Sequence, residues 1–153
     1  AGGFVISAVT GRADIMDASH SGGLGGTFGG NPISAAAAVQ VFAEIEKNDL
    51  LGEAKRVGNT LRTALLDLQK KHPIIGDVRG IGAMQAIELV KPGTKDPNPE
   101  AQGAIIKYCQ QKGVLILSAG TYGNVIRLLP PLVMPEHLLT EALSILDEAL
   151  AQA

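Results

Sequence analysis

Apolar residues recur at three- and four-residue steps along residues 50–68, where Leu50, Ala54, Val57, Leu61, Leu65 and Leu68 share one side of a predicted helix. The opposite side carries Glu53, Lys55, Arg56, Arg62 and Asp67, a solvated face, and His72-Pro73 stops the pattern. Ahead of it, Asn31 and Pro32 supply an N-cap and a first helical position for an alanine-rich helix over residues 33–46. Asn98 and Pro99 repeat that signal for a helix ending near Lys112-Gly113. Pro135 opens a last amphipathic helix, with Leu138, Ala142, Ile145 and Ala149 on one line and Leu139, Leu143, Leu146 and Leu150 beside it. Between these helices the period turns extended. Residues 78–89 predict one strand in which Gly80 and Gly82 mark a bulge or a close backbone contact. Residues 114–117 and 125–129 predict two more strands, the second stopped by Pro130-Pro131. This order argues for an α+β domain, helices over a small, mostly antiparallel sheet.

Residues 1–30 follow another pattern. Nine of them are glycine, clustered from Gly22 to Gly30, which favours turns over regular structure. Residues 4–9 predict a short buried strand and residues 13–17 a helical turn. The expected organisation is therefore a tail of a preceding domain over residues 1–30 and a domain over residues 31–153, with the helix of residues 31–47 leading between them. The opening Ala-Gly-Gly-Phe-Val-Ile, inside an apolar segment and without Met, reads as a piece of a longer polypeptide.

Composition narrows the classes of function. Of the 153 residues 46% are hydrophobic and only 3% aromatic, and the formal charge is -2. A nucleic-acid partner is disfavoured, because neither a basic excess nor stacking platforms are present. No run of about 18 apolar residues offers a membrane span. The single Cys109 cannot close an internal disulfide, so a reducing, cytoplasmic setting is the default expectation. His20, His72 and His137 lack spacing suited to a metal.

Two places carry candidate chemistry. Successive glycines let backbone N–H groups converge on an anion, and Thr27 adds a hydroxyl, yet the spacing fits neither common nucleotide fingerprint, and for the run taken alone a flexible or tightly turned linker is the favoured reading. Arg127, between Val125-Ile126 and Leu128-Leu129, is expected in a half-buried strand and needs an anion there: Glu88 on a neighbouring strand, or a ligand carboxylate gripped by the planar fork. Arg79 presents the same choice, leaning to structure. No lysine sits where its pKa is obviously depressed.

Gly11-Arg12-Ala13-Asp14-Ile15-Met16-Asp17 and Gly22 through Pro32 resemble the segment downstream of the cofactor-bearing lysine in class III aminotransferases, the 4-aminobutyrate branch matching best. Gly76 to Met84 and Asn124 to Leu132 resemble two further family blocks, in order. The resemblance covers essentially the whole chain. It implies a fold-type I, pyridoxal 5'-phosphate-dependent homodimer acting on small amino and keto acids. In that frame residues 1–30 complete the large cofactor domain and residues 31–153 form the small C-terminal domain. Thr27, with Gly26 beside it, matches the threonine that reaches the phosphate of the partner subunit's cofactor. Arg127 matches the arginine that holds the substrate carboxylate. The family's lysine falls three residues before Ala1, so no catalytic residue is expected in this chain and the chain alone is expected to be inactive. The implied reaction moves an amino group from 4-aminobutyrate to 2-oxoglutarate, with ornithine, acetylornithine or another ω-amino acid as the alternative donor. A non-catalytic phosphate-binding or dimerisation module is the alternative of another class. The sequence departs from its relatives at Val5, where proline is usual, and at Ala86, where glycine is common.

Overall fold

The computed structural model describes residues 2–153. The chain divides into two compact units, Ala1–Leu50 and Leu51–Ala153. In the first, a one-turn helix α1 (Ala13–Met16) and the glycine-rich turns precede helix α2 (Pro32–Lys47). The Asn31 side chain caps α2 by accepting from the Ile33 and Ser34 amides, with Pro32 in the first turn. Residues 4–9 do not form the expected strand. Among the described residues nothing lies alongside them to complete a ladder, and Phe4, Val5 and Val9 are exposed.

The second unit contains helix α3 (Leu50–Lys71), strands β1 (Ile75–Ile81) and β2 (Met84–Leu89), helix α4 (Pro99–Gln111), strands β3 (Leu117–Ala119) and β4 (Val125–Leu128), and helix α5 (Glu136–Leu150). The sheet runs β1-β2-β4-β3 with every neighbouring pair antiparallel, so the α+β class with an antiparallel sheet is as expected. The single strand expected over residues 78–89 is instead a hairpin. Ile81 pairs with Met84, leaving Gly82-Ala83 as a two-residue loop in which Gly82 takes φ +53, the position that favours glycine. A Cβ on Gly80 would lie 2.2 Å from the Met84 carbonyl oxygen, which is the close backbone contact its position suggested. β3 starts at Leu117, where the strand expected over residues 114–117 ends.

One face of this sheet meets the helices. Leu65 and Leu68 of α3, Ile105 and Cys109 of α4 and Leu146 of α5 close over Val78, Ile87 and Ile126 from three strands. A second cluster joins Val57 and Leu61 of α3 to Ala83 at the hairpin loop and Leu139 of α5. Buried polar groups stitch the elements together. Gln102 Nε2 in α4 donates to Ser118 Oγ at 2.9 Å and to the Val125 carbonyl at 2.7 Å. Asn124 Nδ2 donates to the Leu89 carbonyl at 2.9 Å, while the Leu89 amide donates to the Asn124 carbonyl at 2.7 Å. No helix among the described residues is long and apolar enough to cross a membrane.

Candidate functional site

The residues singled out above lie in different units, Gly26 and Thr27 in the first and Arg127 in the second. In the first, the Gly29 amide donates to the Gly26 carbonyl at 2.9 Å and the Asn31 amide to that of Phe28 at 3.2 Å, so two consecutive turns feed the cap of α2. Flanking glycines permit this path: Gly25 has φ +150 and Gly30 φ +70. Among the described residues, neither the Thr27 amide nor its hydroxyl donates to a protein acceptor. The space where Gly26 would carry a Cβ is open, with nothing within 4 Å. Unengaged donors beside such space fit a phosphate, whose oxygens accept several hydrogen bonds. The fit extends to that end of a phosphorylated cofactor only.

In the second unit, register puts Arg79 of β1, Ala86 of β2, Arg127 of β4 and Leu117 of β3 in one row across all four strands. Cross-strand partners project to one face, here the face opposite the helix-covered core. The flanking apolar residues suggested a half-buried Arg127, but it is exposed. The reason is the sheet's covered face: Ile126, whose side chain points to the helices, is fully buried, while Leu117 on the row of Arg127 is 51% exposed. Glu88, the internal partner open to Arg127, is engaged elsewhere. It meets Arg79 at 2.6 Å, and Asp77 meets Arg79 at 2.8 Å. These hydrogen bonds, Asp77 first and Glu88 second, hold Arg79 more firmly protonated than usual. The Arg127 side chain has no ion pair or hydrogen bond among the described residues. It is one of the residues lining a cavity of about 650 Å³ whose walls are mostly apolar, with Leu117, Leu129, Leu138, Ala142 and Ile145 among them, and which Lys112 and Glu141 also line. A flexible carboxylate with a hydrocarbon stem matches that combination.

The structure adds polar sites that sequence reasoning did not single out. His72 does follow the end of α3, yet it is buried, with Nε2 2.6 Å from Asp147 Oδ1, and Lys71 Nζ donates to the other carboxylate oxygen. Gln85 is 2% exposed in β2. Its signal was the alternation Gln85, Ile87, Leu89, which places an amide in a register otherwise kept for the core.

The aminotransferase class-III family pattern matches residues 1–150. The chain is 47% identical over 152 residues to the 5-aminovalerate aminotransferase of Pseudomonas putida, covering 99% of this chain and 36% of that protein. It is 49% identical over 150 residues to the 4-aminobutyrate aminotransferase of Mycobacterium leprae, covering 98% of this chain and 34% of that one. The chain thus spans about a third of the length of these relatives. Among solved structures, a Bacillus anthracis aminotransferase superposes with TM-score 0.75 at 31% identity, over 83% of this chain and 30% of that one. A transaminase solved with L-alanine superposes with TM-score 0.78 at 29% identity, over 92% of this chain and 34% of its own. Matched along almost its entire length, the chain belongs to the aminotransferase class-III family.

Proposed function

We propose that this chain serves a pyridoxal 5'-phosphate-dependent transaminase that moves the amino group of 4-aminobutyrate to 2-oxoglutarate, giving succinate semialdehyde and glutamate. The observation that carries the reading is Arg127, a strand-held cation whose side chain has no protein acceptor among the described residues and which is one of the residues lining a mostly apolar cavity. Its planar fork binds the substrate carboxylate through two parallel hydrogen bonds, and β4 fixes the direction of approach. The Leu and Ile walls take the methylene stem and exclude water from it. The Thr27 hydroxyl and the amides beside Gly26 hold the phosphate of the cofactor bound by the partner subunit of a homodimer. When bound, the cofactor supplies the electron sink. The covalent attachment and the proton transfer belong to a lysine, which the family resemblance puts three residues before Ala1. Residues 1–30 complete the large domain and residues 31–153 form the small one, in a cytoplasmic enzyme.

A second donor is favoured by a specific observation, the 47% identity to a 5-aminovalerate aminotransferase. One methylene distinguishes the two donors, and a hydrophobic site separates such pairs by about 10- to 200-fold. Purified intact enzyme is assayed with 2-oxoglutarate and, in turn, 4-aminobutyrate, 5-aminovalerate, ornithine and acetylornithine. The highest kcat/KM is expected with 4-aminobutyrate. A higher value with one of the others reassigns the donor, and turnover with none of them overturns the reading.

A further inference from the structure

We propose that the cleft between α3 and the β1–β2 hairpin binds a small oxyanion that retains a proton at neutral pH, with inorganic phosphate as its type ligand. The inference is independent of the transaminase reading. It begins with Gln85, whose side-chain amide is 2% exposed on the core side of β2. Gln85 Nε2 donates to the Gly82 carbonyl at 2.8 Å, which fixes the amide orientation, since the reverse would set two oxygens against each other. Oε1 is left as a buried acceptor with no donor among the described residues. A buried acceptor in this condition forfeits its hydration without compensation.

Gln85 is also one of the residues that line a cleft. A cavity of about 310 Å³ is lined by Lys55, Asn59 and Arg62 of α3, by Gly80 and Gly82 of the hairpin, and by Gln85 itself. That volume lies at the floor of the small-ligand range, about 300–1,000 Å³, so it suits an ion rather than a cofactor. The spacing of Lys55, Asn59 and Arg62 places all three on one side of the helix. Neither cation has an ion pair among the described residues, and no carboxylate lines the cleft. Glycine keeps the approach open. A Cβ on Gly80 would stand 2.7 Å from Gln85 Cδ, and one on Gly58 would stand 2.2 Å from the Gly82 oxygen, so a side chain at either position would displace the amide or part the hairpin from α3.

The two walls make opposite demands. Lys55, Arg62 and the Asn59 amide donate, so the ligand must present oxygens with negative charge; Gln85 Oε1 accepts, so the same ligand must carry an O–H. Hydrogenphosphate meets both demands. Sulfate meets only the first, because it holds no proton near neutrality. A phosphomonoester, with its second pKa about 6, has also lost its P–O–H by pH 8.

The test is calorimetric titration of the intact holoenzyme, its cofactor site filled, with inorganic phosphate, sulfate and methyl phosphate at pH 8 and constant ionic strength. Phosphate is expected to bind about tenfold more tightly than either of the others, the loss expected for one hydrogen bond. Arg62→Ala and Lys55→Ala should each weaken phosphate by about tenfold, the scale of a charge-assisted hydrogen bond, with transaminase turnover unchanged. Gln85→Leu should erase the preference for phosphate over sulfate. If that variant does not fold, the comparison of the three anions on the unaltered protein still decides. Equal affinity for phosphate and sulfate, binding indifferent to Arg62→Ala, or no heat of binding with phosphate would each overturn the proposal, leaving Gln85 Oε1 to an ordered water.

Discussion

At the scale of single residues, the contrast between Arg79 and Arg127 is informative because they occupy the same row of the same sheet face. Arg79 is neutralised by Asp77 and Glu88, whereas Arg127 has no such partner among the described residues. Arg127→Lys in the intact enzyme keeps the charge and loses the fork. Binding of 2-oxoglutarate should weaken by about 1–3 kcal/mol, read as a rise in its Kd, while the bound cofactor's absorbance stays the same. An unchanged Kd would remove Arg127 from the carboxylate site. The sequence made Arg127 visible as a cation among apolar residues, but its ligand role came from the family resemblance. Its exposure was illegible, since alternation along a strand shows two faces and does not say which one the helices cover. Asp147 offers a test of stability instead. Hydrogen bonds from Lys71 first and His72 second hold its carboxyl below the ordinary value of 3.8. A depressed folded pKa gives a contribution fully present above the unfolded value and lost as pH falls through the folded one. Unfolding in urea from pH 7 down to pH 3 should therefore show a steep loss of stability below about pH 4. Asp147→Asn should be less stable at pH 7 and lose less on acidification; parallel curves would show that the cluster contributes nothing.

Elements were legible where their signals are local. The Asn31-Pro32 and Asn98-Pro99 pairs start α2 and α4 as written, because the cap is made by a side chain that accepts from amides two or three residues away. The β1–β2 hairpin was not legible. Its Gly82-Ala83 loop is short, lacks the Asn-Gly or Asp-Gly pair that announces such turns, and hides inside one extended run. Two helical glycines show how packing sets the sign of one substitution. Gly103 is an exposed residue in the middle of α4 with nothing within 4 Å of an added Cβ. Gly103→Ala should stabilise by about 0.5–1 kcal/mol, the helical cost of glycine relative to alanine. Gly58 in α3 would bring the same methyl to 2.2 Å from the Gly82 oxygen, backbone that cannot swing aside. Gly58→Ala should destabilise by about 1–3 kcal/mol in spite of the better propensity, as overpacking does. Denaturant midpoints of both variants check the pair, and shifts of the same sign would mean that the α3–hairpin contact yields.

At the scale of the whole molecule, apolar surface is unevenly resolved between the two units. The second closes its helices over one sheet face, whereas in the first the described residues leave Phe4, Val9, Leu24, Phe28, Val39 and Phe42 more than half exposed. Composition marked the change of character near residue 30, while the contact boundary falls after Leu50, because α2 groups with the glycine-rich turns that cap it. The chemistry is equally uneven. All eight lysines, Lys47, Lys55, Lys70, Lys71, Lys91, Lys95, Lys107 and Lys112, are exposed. An amine becomes a selective nucleophile toward a carbonyl when it is desolvated or crowded by another cation, and exposure denies the first condition. Lys112 is the one that lines the cavity of Arg127, yet its ammonium lies over the Tyr108 ring, 5.5 Å from the centroid. The chain by itself should therefore react with pyridoxal 5'-phosphate only weakly and at several lysines, with no transamination. Borohydride reduction followed by peptide mapping reads the distribution directly, and the intact enzyme treated in the same way supplies the comparison. Scattered substoichiometric labelling is the expected outcome for the chain, against a single fully labelled lysine in the intact enzyme. One stoichiometric adduct on the isolated chain, above all at Lys112 and accompanied by turnover, would show instead that the small unit holds a competent amine beside its carboxylate-binding arginine.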